Sequence, residues 1–176
     1  MITTSQSVAP YYDGWRLSQE RLVERVSELS PEQLGLRAAP HLWPIWAITA
    51  HVAGVRPYWL CHICKEPGAE RTPFAGLIDQ GWEDDLDHPR HAGELVSALQ
   101  STWVIVEECL ERWTPEMLQD KFPREINSRI QLHTRQSVLI RLITHDAYHC
   151  GEIAQALGMH GLKEVDIWTG RVPEPT

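Results

Sequence analysis

The apolar residues of this chain recur with a helical period in four long segments, and this pattern constrains the fold more than any other feature. The segments run from about residue 10 to 29, 44 to 62, 92 to 113 and 134 to 157. Spacings of three and four place apolar side chains on one face of an α-helix. No strand-like alternation of comparable length is present. The sequence therefore predicts an all-α protein, a four-helix bundle formed by a single domain over residues 1–176.

The connections between these segments carry their own signals. Ser30 and Gln33 flank Pro31 in a pattern that predicts a short capped turn after the first helix. Pro57 predicts a kink in the second helix, since proline removes a backbone donor. Residues 65–90 predict a long connection between helices 2 and 3, of the kind that tends to be functional. Between the third and fourth helices, residues 129–132 are a candidate for a short extended piece.

Composition excludes several classes of partner. The net charge is −8, with 16 basic and 24 acidic residues, which argues against nucleic acid or an anionic membrane surface. No apolar run is long enough for a transmembrane helix, and the first residues lack the pattern of a signal peptide. Four cysteines are too few for a disulfide scaffold. We therefore expect a cytoplasmic protein with reduced thiols.

Nine histidines make metal or acid–base chemistry the first possibility to examine. His145 and His149 are four residues apart, so both rings project from one helix face, a spacing at which two imidazoles can reach one metal ion. His51 lies on the inner face of the second helix, where an unpaired polar ring is costly. A shared cation explains three core-facing imidazoles in one bundle, whereas three separately hydrogen-bonded buried histidines are the alternative reading.

Two stretches, AITAHVAGVRPYWL and HTRQSVLIRLITHDAYHCGEIAQALGMHG, resemble the DinB-like (DinB/YfiT) superfamily of metal-binding four-helix bundles. The resemblance implies a divalent metal, zinc or nickel, held by His51, His145 and His149, with solvent completing the site. The matched segment of the fourth helix reads His145, His149, Gly151 and Ile153. Members of the superfamily usually carry arginine where this chain has Cys150.

The resemblance also implies a chemistry, because the superfamily includes transferases that use a low-molecular-weight thiol such as bacillithiol or mycothiol. A metal ion lowers the pKa of a bound thiol, so the leading hypothesis is thiol transfer to a small electrophile. A metal-dependent hydrolase is a second hypothesis, with Glu152 as a weak candidate for the general base. A non-catalytic metal- or ligand-binding stress protein, with a homodimer left open, is the third.

The remaining polar signals are weaker. Asp146 falls on a different helix face from His145, which predicts a solvated carboxylate. Cys61 and Cys64 form an isolated C-x-x-C pair, for which packing in a helical core is the favoured interpretation. His62 lies too far along its helix to share a metal with His51. His133 immediately precedes the fourth helix and is the other histidine of interest.

Overall fold

The fold, given by a computed structural model that describes residues 6–76 and 85–168, is mostly helical. Its long helices are α1 (Asp13–Ser27), α3 (Ile45–Pro57), α4 (Ala92–Arg112) and α5 (Arg135–Met159). A 3-10 turn, Ala9–Tyr12, leads into α1, and a single turn, α2 (Pro31–Leu34), follows it. All four predicted helices are therefore present, close to their expected bounds.

Local sequence signals explain where several of these helices begin. Ser30 accepts a hydrogen bond from the Gln33 backbone N–H, and the Gln33 side chain accepts one from the Ser30 backbone N–H, as predicted for α2. Thr134 caps α5 in the same manner through Ser137. These reciprocal hydrogen bonds satisfy backbone donors that a helix start otherwise leaves unpaired.

The second predicted helix changes its pitch at Pro57. It is α-helical up to that residue and continues as a π-helical segment, Tyr58–Ile63, in which Cys64 N–H donates to the Trp59 carbonyl. Proline cannot supply an N–H to the α-helical ladder, and a π-turn is one way to continue the chain past such a position. The wider turn brings Trp59, Leu60 and Ile63 into the core.

Helix α3 is the centre of the packing, since it contacts both α4 and α5, while α1 packs against α4. Eleven of the thirteen residues of α3 are buried, which agrees with a helix surrounded by other elements. His51 is one of the two that are only half-buried. No helix in the described part of the chain is long and apolar enough to cross a membrane.

The all-α prediction is wrong between α4 and α5, where the chain forms a β-hairpin. Strand β1 (Lys121–Ile126) pairs antiparallel with β2 (Arg129–Thr134), and Asn127 and Ser128 form the turn with positive φ angles of 48° and 60°. Two left-handed residues give a tight hairpin turn. The predicted extended piece at residues 129–132 is half of this hairpin. Its partner was missed because Pro123 interrupts a strand pattern and the turn lacks glycine.

The long connection between α3 and α4 is present as predicted. Its first part contains a 3-10 turn, Ala69–Arg71, and a buried Phe74, which packs into the core. Residues 77–84 of the connection lie outside the described residues. The described portion thus contributes to the core as well as linking the two helices.

Candidate metal centre

The structure brings His51, His145 and His149 together at the contact between α3 and α5. The Nε2 atom of His145 lies 3.0 Å from Nε2 of His51 and 3.1 Å from Nε2 of His149. One ligand nitrogen from each ring lies within 4.8 Å of the others. The helical spacing predicted the pair on α5, and the packing of α3 against α5 adds the third ring.

Glu152 fixes the orientation of one ring. Its carboxylate lies 2.7 Å from Nδ1 of His149, at the distance of a strong hydrogen bond. A ring that donates from Nδ1 to a carboxylate presents the lone pair of Nε2, the usual arrangement of a metal-binding histidine. Glu152, predicted as a weak candidate for a general base, is therefore placed where it positions His149.

The three rings do not satisfy one another by hydrogen bonding. With Nδ1 of His149 donating to Glu152, its neutral Nε2 can only accept, so His145 must donate to it. Since Nε2 of His145 then carries a hydrogen, it has no lone pair with which to accept a hydrogen bond from His51. Two nitrogens bound to one tetrahedral ion at about 2.0–2.1 Å lie roughly 3.3 Å apart, close to the two separations here. The nitrogens therefore fit a shared cation better than a hydrogen-bonded cluster.

The electrostatics of the site favour a neutral imidazole at His149. Burial lowers the pKa of His149 and the adjacent His145 lowers it further, while Glu152 acts in the opposite direction. The net pKa lies below the usual value for histidine, so the ring is neutral under ordinary conditions. Neutral imidazole is the form that binds a metal, and an all-imidazole set suits zinc, nickel or copper.

Two cavities border the three histidines. We call the first the apolar pocket, about 380 Å³, and the second the open groove, about 740 Å³. His51, His149 and Tyr148 line both of them. The apolar pocket is otherwise bounded by Ala38, His41, Leu42, Trp43, Ile48, Glu152, Gln155 and Ala156. The open groove is otherwise bounded by His133, Ser137, Ile140, Arg141, Thr144 and His145. His51 and His149 therefore border both cavities.

The expectation of a solvated Asp146 is wrong. Its side chain is 7% exposed, and its Oδ2 atom lies 2.8 Å from Nη2 of the fully buried Arg56 and accepts a hydrogen bond from Trp15. Asp146 lies on the same buried face of α5 as the apolar residues Leu142, Cys150 and Ile153. That helical spacing was the sequence signal that could have predicted its burial. The burial of Arg56, which neutralises this carboxylate, was likewise not predicted from the sequence.

One further contact links the buried pair to the histidines. Nδ1 of His145 lies 3.9 Å from Oδ1 of Asp146, and neither atom has a hydrogen-bond partner among residues 6–76 and 85–168. A His145 ring that uses Nε2 for a metal carries its hydrogen on Nδ1, facing this carboxylate. Nδ1 of His145 is thus the nitrogen that stays protonated when Nε2 binds a metal.

The cysteines stand apart from this centre. All four are unpaired, and Cys64, Cys109 and Cys150 are buried. Burial raises the pKa of Cys61 to about 11, and those of Cys64 and Cys150 to about 12, so these thiols are protonated. Cys64 packs in the core as expected for the isolated C-x-x-C pair, while Cys61 is half-buried.

The fold and the converging imidazoles define a mostly helical protein with a candidate metal centre, and comparison with known proteins agrees. The chain belongs to the DinB superfamily, whose family model matches residues 15–153. A DinB-like protein from Bacillus cereus, known from a crystal structure, is similar with a TM-score of 0.70 and 17% sequence identity. The match covers 94% of this chain and 100% of that one, and it shows a shared fold. The search of curated proteins returned no match.

Proposed function

We propose that this protein binds one divalent metal ion, zinc or nickel, through His51, His145 and His149, and transfers a low-molecular-weight thiol to a small electrophile. The observation that carries the proposal is the convergence of three Nε2 atoms between two cavities. Three protein ligands with an open side are typical of catalytic metal sites, since structural zinc sites are usually closed by four.

A divalent ion at these nitrogens would lower the pKa of a thiol and supply a thiolate nucleophile near neutral pH. The residues of this chain would orient the metal ligands and bind the electrophile. Glu152 holds the tautomer of His149, and the Trp43 ring packs edge-on against His51 with centroids 5.5 Å apart. The apolar pocket offers the electrophile a largely nonpolar surface, so the two reactants would meet beside the histidines.

The surrounding features are consistent with the same proposal. We propose that the four long helices form a four-helix bundle around this site, with α3 and α5 supplying the ligands. The four unpaired cysteines support a reducing compartment, the cytoplasm. Ile130 and Leu132 expose apolar side chains on β2, which supports pairing of two copies as a homodimer.

The first experiment measures metal content by mass spectrometry on tag-free protein. We expect about one equivalent of zinc or nickel, lost in His51→Ala and His149→Ala and retained in His62→Ala. His62 is a matched control, since it is exposed and stacks on Tyr58 outside the centre. Retention of metal in both triad variants would overturn the proposed ligand set.

The second experiment tests the reaction. Metal-loaded protein is incubated with bacillithiol, mycothiol or glutathione and a chromogenic electrophile, with the metal-free protein as control. A metal-dependent rate with one of these thiols supports thiol transfer. Its absence with all three, in protein that holds the metal, favours the non-catalytic binding protein. An esterase activity lost in Glu152→Gln would instead favour the hydrolase.

A further inference from the structure

Arg141 lines the open groove, and neither it nor Arg124, which contacts the same aromatic ring, pairs with a carboxylate of the described residues. Eight arginines of the described residues form ion pairs with carboxylates: Arg16, Arg21, Arg25, Arg56, Arg71, Arg90, Arg112 and Arg135. Arg124 and Arg141 form none within the described part of the chain. The protein carries a net charge of −8, yet these two guanidinium groups lie away from the carboxylates of residues 6–76 and 85–168.

Both guanidinium groups are held by one aromatic side chain. The Cζ atom of Arg141 lies 4.6 Å from the ring centroid of Trp59, and that of Arg124 lies 4.8 Å from the same ring. Arg124 also donates from Nε to the hydroxyl of Tyr58 at 2.8 Å. Stacking uses the face of a guanidinium and leaves its N–H donors, which lie in the plane, available for an anion.

Arg141 is adjacent to the candidate metal centre. Arg141 precedes His145 by one helical turn on α5 and lines the open groove with His51 and His149. His133 packs edge-on against Trp59, with ring centroids 4.9 Å apart, and brings a further ring nitrogen to the same wall. No carboxylate of the described residues lines the groove.

We propose that the open groove binds the anionic group, a carboxylate or phosphate, of the thiol, with Arg141 as its principal partner and Arg124 reinforcing the positive field. The inference rests on the proposed function, because it concerns which thiols that site accepts. A planar guanidinium matches the two oxygens of a carboxylate or phosphate, which gives orientation as well as affinity. The apolar pocket on the other side of Tyr148 is left for the electrophile.

The test compares two thiols that differ in charge. Glutathione and its diethyl ester are titrated by calorimetry into metal-loaded wild-type protein and into Arg141→Gln, Arg141→Lys and Arg16→Gln. Arg16 is the matched control, since it is an exposed arginine on α1 that pairs with Glu107. We expect wild type and Arg16→Gln to prefer glutathione by about tenfold or more, as a charge-assisted hydrogen bond provides. Arg141→Gln should lose most of this preference, and Arg141→Lys should retain part of it.

An unchanged preference in Arg141→Gln would overturn the anion site while leaving thiol binding intact. If neither thiol binds to protein that holds its metal, the proposed thiol chemistry fails, and inorganic phosphate decides the inference separately. The anion site is supported if phosphate binds to wild type and Arg16→Gln with similar affinity and to Arg141→Gln at least about tenfold more weakly. Equal or absent phosphate binding in all of these proteins overturns it.

Discussion

Helix α5 carries two polar clusters on different faces, and they are built in opposite ways. In the first, Asp146 faces the buried Arg56, and Gln19 and Trp15 complete the set with hydrogen bonds at 2.7 and 2.9 Å. Donors face acceptors, and positive charge faces negative. In the second, Nε2 of His145 lies 3.0 Å from that of His51 and 3.1 Å from that of His149, beside two cavities.

The difference separates a structural polar cluster from a functional one. Opposite charges compensate each other, so the pair of Arg56 and Asp146 needs no ligand to balance its charge and contributes to the integrity of the core. The three imidazoles converge through one nitrogen each, and a cation is the partner that all three nitrogens can bind at once. The two clusters also differ in burial, since Arg56 and Asp146 are buried whereas the three histidines are half-buried.

The largest effect we expect comes from breaking the buried pair. Arg56→Met should lower the free energy of unfolding by about 3–5 kcal/mol, since it leaves the Asp146 carboxylate buried without its charge partner. Arg71→Met is the control, because Arg71 and its partner Glu108 are 45% and 38% exposed and such pairs contribute about 1 kcal/mol or less. Chemical denaturation measures both. Equal losses in the two variants would contradict the assignment of the buried pair as a structural cluster.

Removal of the metal should have the next largest effect on stability, and this effect should require an intact histidine cluster. A ligand at a thousand times its dissociation constant stabilises the folded state by about 4 kcal/mol. We therefore expect the melting temperature to fall on chelation in wild type and in His62→Ala, but not in His149→Ala. Calorimetry with and without a chelator gives these shifts. An equal shift in His149→Ala would place the metal elsewhere.

Loss of the positioning carboxylate should have a smaller effect on the same centre. Glu152→Gln weakens the acceptor of the His149 Nδ1 hydrogen, and outer partners of this kind typically contribute 10- to 100-fold in metal affinity. Competition with a chromophoric chelator measures the change. Glu111→Gln, on the exposed face of α4, should leave the affinity as it is. An unaltered affinity in Glu152→Gln would show that the contact does not orient the ring.

The smallest effect should be a difference in pH dependence between the clusters of the metal-free protein. The pKa of His149 is lowered, chiefly by burial, so its contribution to stability is present above about pH 6.5 and is lost as pH falls through the folded-state pKa. Burial acts to raise the pKa of Asp146, but Arg56 brings it below its usual value. That contribution persists above about pH 3.9 and is lost only in stronger acid.

Denaturation of the metal-free protein at pH 7.5 and pH 5.5 separates the two contributions. Wild type should lose stability between these values, and His149→Gln should lose less. The contribution of Asp146 should be the same at both. If wild type and His149→Gln lose equal stability, the neutral imidazole of His149 does not contribute in the way the structure indicates.

The sequence by itself determined the long helices, the capped turn at Ser30 and the pairing of His145 with His149. These are local features, because the helical period and the capping residues act within a few positions along the chain. It also singled out His51, from its place on an apolar face. The β-hairpin was the local exception, since Pro123 and the Asn-Ser turn weaken the usual strand signals.

Only the tertiary structure decided which side chains meet across helices. Arg56 and Asp146 are 90 residues apart, and His51 and His145 are 94 apart, so their contacts depend on how α3 packs against α5. From sequence alone a charged residue on a helix is predicted to be solvated, because its burial requires a partner that lies on another helix. The same packing joined Arg141 to Trp59 and placed a cationic groove beside the histidines, an arrangement without any local sequence pattern.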